Sequence, residues 1–130
     1  MSWCFSDEAN TYGDEVLDSL LTDGAEGLVP QLWCLEVTNV LLVAERRGRL
    51  NNAQTTRAVT LLQSLPIVID ELTATQAMSA TLALARTHNL SSYDAAYLEL
   101  AMREGLPIAT LDSRLSDVSR HCGITSYLKI

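Results

Sequence analysis

The sequence predicts an α/β fold, a mostly parallel sheet with helices on both faces, and three observations predict it. Short apolar runs of strand length alternate with longer segments of helical periodicity. Helix stop signals, Gly24, Gly48 and Gly105, stand where helical segments end. Strands separated by helices require crossover connections, and crossovers make neighbouring strands parallel. At 130 residues, 48% hydrophobic and 19% charged, the chain suits a single domain over 1–130 with a real core.

The elements follow in order. Residues 11–21 place Val16, Leu17, Leu20 and Leu21 at helical spacing, and Gly24 follows as a stop. Residues 27–30 are short and apolar enough for a buried strand. Residues 31–47 read as a helix that ends at Gly48, with Arg46 and Arg47 in the last turn where the helix dipole favours cations. Residues 51–65 form another, capped by Asn51 or Asn52, and 66–69 a second strand. The helix over 73–89 sets Ala77, Ala80, Leu84 and Ala85 on one side; the next, over 91–104, closes at Gly105. A third strand over 107–111 ends at Asp112, and a short helix over 113–121 and a last strand over 124–128 complete the pattern. No internal repeat, low-complexity tract or linker interrupts it.

Composition narrows the function. Net charge is −7 with nine lysines and arginines, so the chain does not hold nucleic acid by a broadly basic surface, and any such contact is local or metal-mediated. The cysteines, Cys4, Cys34 and Cys122, lack the close paired spacing of a zinc site and are expected as buried free thiols in a reducing compartment. His88 and His121 stand in no two-histidine helical motif and read as surface or loop residues. The N-terminal residues carry no basic region and reach Asp7-Glu8 at once, so no signal peptide is expected. No apolar run approaches the roughly 20 residues of a membrane span. A cytoplasmic protein is the expectation.

Three carboxylates stand out. Glu36 lies in a helical run that is apolar nearly all round and expected to be buried, with Asn39 on its side of the helix. A bare carboxylate there costs several kcal/mol or becomes protonated, so it needs a partner. The alternative is a solvent-facing glutamate or one paired with an arginine. Asp94 shares its side with Tyr97, Leu98 and Ala101 and points inward; alternatively Ser91-x-x-Asp94 is a capping box. Asp112 follows an apolar strand at the carboxyl end, where open α/β sheets place ligands, or else caps the helix at Ser113. Together the three offer hard oxygen ligands of the kind Mg²⁺ or Mn²⁺ prefers.

Residues 30–41 around Glu36 and Asn39, 90–101 around Asp94, and 106–115 around Asp112 resemble, in order and separation, the PIN-domain family. More narrowly they are similar to the VapC-type toxin ribonucleases of bacterial toxin–antitoxin pairs. The resemblance implies a PIN-like fold and a Mg²⁺- or Mn²⁺-dependent endoribonuclease, with RNA as substrate, a VapB-like antitoxin as partner and a homodimer as the assembly. Glu36, Asp94 and Asp112 then correspond to three of the family's four principal carboxylates, as metal ligands and catalytic residues. The fourth closes a central first strand, just before the stretch that here reads Ser2 to Glu8, and the expectation is that this strand and its aspartate are missing. Asp7 and Glu8 belong to the following loop and are poor substitutes. Mg²⁺ often needs only one or two carboxylates, so three still suffice, more weakly.

Arg46, Arg47 and Arg49 form the only basic cluster and are candidates to hold the RNA backbone; a solvated helix end is the alternative. A rival class is a truncated, catalytically impaired toxin that still binds its antitoxin or dimerises. A phospho-receiver domain is disfavoured, because that fold needs a lysine beside its acidic pocket and the only lysine is Lys129.

Overall fold

The computed structural model describes residues 11–128. Cys4, Asp7, Glu8 and Lys129 lie outside them, as does the expectation of a missing first strand. The described chain forms two compact units, one of residues 11–28 and 32–68, the other of 29–31 and 69–128.

In the first unit, α1 (Thr11–Thr22) leads to β1 (Gly27–Pro30), which continues into the second unit. Then come α2 (Trp33–Arg46), α3 (Asn52–Ser64) and the start of β2 (Ile67–Asp70). The start of α3 is settled by local chemistry. Asn51 is the cap, its side-chain oxygen accepting the Gln54 N–H at 2.8 Å, while the Gln54 side chain accepts the Asn51 N–H at 2.9 Å. The core of this unit is Val37 and Leu41 of α2 against Ala58, Leu62 and Leu65, with Leu17, Leu20 and Trp33 around them.

That core corrects the expectation of a helix buried all round. Only the i, i+4, i+7 stripe of Val37, Leu41 and Ala44 is buried in α2, while Leu35 is 75% exposed and Val40 and Leu42 are also exposed. One stripe is what a single packed neighbour covers. Cys34, expected as a buried thiol, is likewise exposed for this reason.

The expected sheet is reduced. Among the described residues, β1 pairs with β2 in a small parallel sheet, joined at its start by the Gly27 N–H to the Pro66 carbonyl at 2.9 Å. The expected strands over 107–111 and 124–128 shrink to one parallel bridge between Ile108 and Ser126. Ile108 donates to the Thr125 carbonyl at 3.0 Å and accepts from the Tyr127 N–H at 2.8 Å, and the ladder goes no further. Pro107 has no N–H to give, and of the run only Ile108 is buried, so little apolar surface drives a longer pairing.

In the second unit, β2 runs into α4 (Thr73–Gln76), a π-helical turn over Ala77–Thr81 and α5 (Leu82–His88). One continuous helix was the expectation; instead the backbone kinks at Met78 (φ −96°, ψ 15°), which is 88% exposed. The kink divides the segment into two helices whose faces are set separately. Of the side expected to carry Ala77, Ala80, Leu84 and Ala85, the first two are exposed and the last two half-buried, while Thr81 is buried. After α5, Asn89 takes the left-handed conformation (φ 52°, ψ 46°) that asparagine tolerates as a helix terminator. Helix α6 (Ser92–Glu104) ends at Gly105 (φ 64°), where a side chain would be strained, and α7 (Ser113–His121) follows the bridge residue Ile108. Leu98 and Ala101 of α6 pack with Ile108 and with Leu115 of α7, surrounded by Leu84, Tyr97 and Cys122. Cys122 is half-buried, with its Sγ 3.4 Å from His88 Nε2, and the His88 ring meets His121 edge-on at 6.3 Å. The histidines therefore have company that their spacing did not reveal. Among the described residues no helix is long and apolar enough to cross a membrane.

Candidate nuclease site

Asp112 is the N-cap of α7: its Oδ1 accepts the Leu115 N–H at 2.9 Å, and its own N–H donates to Thr110 Oγ1 at 3.1 Å. The cap bond uses one oxygen and holds the exposed carboxylate in one orientation. Asp94 sits in the first turn of α6, half-buried, behind the cap formed by Ser91 Oγ and the Asp94 N–H at 3.1 Å. The second half of a capping box is absent. The Asp94 carboxylate bonds no other described residue, so the cap does not account for it.

Arg114 links the segments that present these two aspartates. From the first turn of α7 its guanidinium donates to the Asn89 carbonyl at 2.6 Å and reaches the His88 carbonyl at 3.4 Å. Those carbonyls end α5 immediately before the Ser91 cap of α6. They are the orphan acceptors of a helix C-terminus, which a cation suits.

Glu36 lies in the first turn of α2, in the other unit, and is exposed rather than buried as its apolar neighbours implied. Arg46, Arg47 and Arg49, also of that unit, are exposed at the C-terminal end of α2. Among the described residues no group of three or more histidine, cysteine, aspartate or glutamate side chains is gathered to hold a metal ion. Asp94 and Asp112 nevertheless carry carboxylate oxygens not spent on internal bonds, and such hard donors fit Mg²⁺ or Mn²⁺.

At the far end of α6 from Asp94 lies a charge network that the sequence does not announce. Asp70 and Glu99 are only 8% and 6% exposed, and Arg103 bridges them. Its Nη2 and Nη1 meet the Asp70 oxygens at 2.7 and 3.1 Å, while Nε and Nη2 meet the Glu99 oxygens at 2.8 and 3.0 Å. The Leu72 N–H and Thr73 hydroxyl add bonds to Asp70 at 3.3 and 3.2 Å. The network ties α6, which carries Asp94, to the end of β2. Only Glu99-x-x-x-Arg103 was visible as a helical i, i+4 pair; Asp70 is 33 residues away from Arg103.

Hydrogen bonds from Arg103 hold the Asp70 carboxyl below the usual carboxylate range, with the Leu72 N–H assisting and burial opposing. Arg103 is shifted upward, by Glu99 first and then Asp70. Because Asp70 has a lower pKa folded than unfolded, its contribution to stability is complete above about pH 3.9 and is lost as pH falls through the lower folded value. We expect urea midpoints measured from about pH 5 downward to fall less steeply in Asp70→Asn than in the parent chain. Identical slopes would show that the pair carries no such linkage.

The chain matches the PIN domain family over residues 3–121 and belongs to that family. PIN domains are generally metal-dependent nucleases, often ribonucleases, which makes nucleic acid the substrate class that membership implies. Comparison with curated proteins gives no match.

Proposed function

We propose that this chain is a VapC-type toxin: a single PIN-like domain over 1–130 that acts as a Mg²⁺- or Mn²⁺-dependent endoribonuclease in the cytoplasm. The observation that carries the reading is the Asp94 carboxylate, half-buried in a family of nucleases and bonded to no described residue. Asp94, Asp112 and Glu36 are the metal ligands and catalytic residues in this reading. When bound, the metal supplies a water of lowered pKa and neutralises charge on the phosphate. Asp112 keeps its Oδ1 on the Leu115 N–H, which fixes the orientation in which Oδ2 is offered. Asp94 presents both oxygens from the start of α6, and Arg114 braces the two segments against each other. Arg46, Arg47 and Arg49 contact RNA phosphates. Leu35 and Leu42, exposed one above the other at i, i+7 on α2, support a protein-binding face for a VapB-like antitoxin or a second copy.

The absence of a three-donor group among the described residues favours a second reading, a chain that binds its partner and cuts nothing. Calorimetric titration with Mn²⁺, paired with cleavage of single-stranded RNA with and without chelator, separates the two. Saturable binding and chelator-sensitive cleavage are expected; no heat at millimolar Mn²⁺ and no cleavage would leave the second reading.

A further inference from the structure

We propose that the open depression beside Asp112 is a nucleotide subsite, which holds the nucleoside next to the phosphate that is cut. The inference rests on the ribonuclease reading above and names where its substrate is gripped. The depression, half open to solvent, spans about 390 Å³; hydroxyls of Ser113, Ser116, Thr125 and Ser126 line it together with the apolar Leu111 and the charged Asp112, Asp117 and Arg120. That volume lies at the lower end of the roughly 300–1,000 Å³ range of ligand sites, enough for a single nucleotide.

Its chemistry is that of a hydroxyl-rich wall. Ser116 and Ser126 bond each other at 3.2 Å, while the hydroxyls of Ser113 and Thr125 bond no other described residue. A hydroxyl donates or accepts as it rotates, so such a wall complements base edges and a ribose 2′-hydroxyl, which present both kinds of group. Charge points the same way. Arg120 is paired with Asp117, and Asp112 adds a second negative charge, so the walls sum to one negative charge and do not attract a bare anion. They suit the neutral nucleoside, with its phosphate left to the metal-binding carboxylates. No aromatic side chain lines the space, so the hydroxyls select by hydrogen bonding while the exposed Leu111 offers the base an apolar surface. A base held in such a recess is out of the helical stack, which restricts the substrate to single-stranded RNA.

The test is a ¹H–¹⁵N titration of the metal-free full chain with each of the four neutral ribonucleosides, with a nucleoside 5′-monophosphate, and with inorganic phosphate alone; no shift from any nucleoside would overturn the subsite. Amide shifts confined to residues 110–126 are expected from the nucleosides, weaker ones from the monophosphate, and none from phosphate. Ser116→Leu, which fills the recess, and Thr125→Leu, at an exposed position, are each expected to weaken nucleoside binding about tenfold, and to raise KM for RNA without lowering kcat. Equal shifts from phosphate, shifts elsewhere, or unchanged binding in both variants would overturn the subsite. Wild-type chain that binds nucleoside here yet cleaves no RNA would instead fail the ribonuclease reading, so the two failures are distinct.

Discussion

Asp112→Asn is expected to lower metal-dependent RNA cleavage by about 100-fold or more while leaving folding nearly intact. The contrast arises because the cap that Asp112 forms and the metal-ligand role proposed for it are separable by chemistry. As the cap of α7 it accepts the Leu115 N–H, and asparagine caps about as well as aspartate, so stability should change by only about a few tenths of a kcal/mol. As the metal ligand of the proposed reading it would supply a charged oxygen, which asparagine does not. Asp112→Ala removes both and should add about 1 kcal/mol of destabilisation to the lost activity. Asp94→Asn makes the same point from α6, where the carboxylate bonds no other described residue and its removal leaves the Ser91 cap in place. Cleavage of a labelled single-stranded RNA in Mn²⁺, with thermal unfolding of each variant alongside, measures both roles. If Asp94→Asn and Asp112→Asn cut as fast as the parent, the activity belongs to a contaminant.

The largest effect on stability is expected at Arg103. Arg103→Met retains much of the apolar stem and removes the only cation bonded to the buried carboxylates of Asp70 and Glu99 among the described residues. Breaking a buried pair from one side typically costs about 3–5 kcal/mol, because the remaining charge is stranded in a poor solvent. Arg103 is 19% exposed, so water relieves part of this, and the lower end of the range is the better expectation. Urea denaturation at neutral pH reads the effect directly. At acid pH, where Asp70 takes up its proton, the deficit should shrink, since a neutral carboxyl is cheaper to bury. A deficit below about 1 kcal/mol at neutral pH would show that the three groups are solvated in the folded protein.

The features legible in the sequence were those set by neighbours in the chain. The helix starts at Asn51, Ser91 and Asp112 rest on side-chain bonds that span three residues, and the inward stripe of Leu98 and Ala101 on helical period alone. What escaped depended on partners from elsewhere. Strand pairing at Ile108 stops after one bridge because Pro107 and the exposed residues beside it give a ladder little to gain. The helix over 73–89 is interrupted by a kink at Met78, and no glycine or proline there announced it.

The sequence by itself determined the family, through the order of its motif stretches, and the placing of Asp94 and Asp112 at the starts of two helices, because caps and periodicity are short-range. Only the tertiary structure decided that Glu36 is exposed, that Asp94 keeps its carboxylate unspent, and that Arg103 binds Asp70. Whether a charged group is buried, paired or open to a ligand depends on what distant residues bring against it, and the free energy of burial changes by several kcal/mol with that choice.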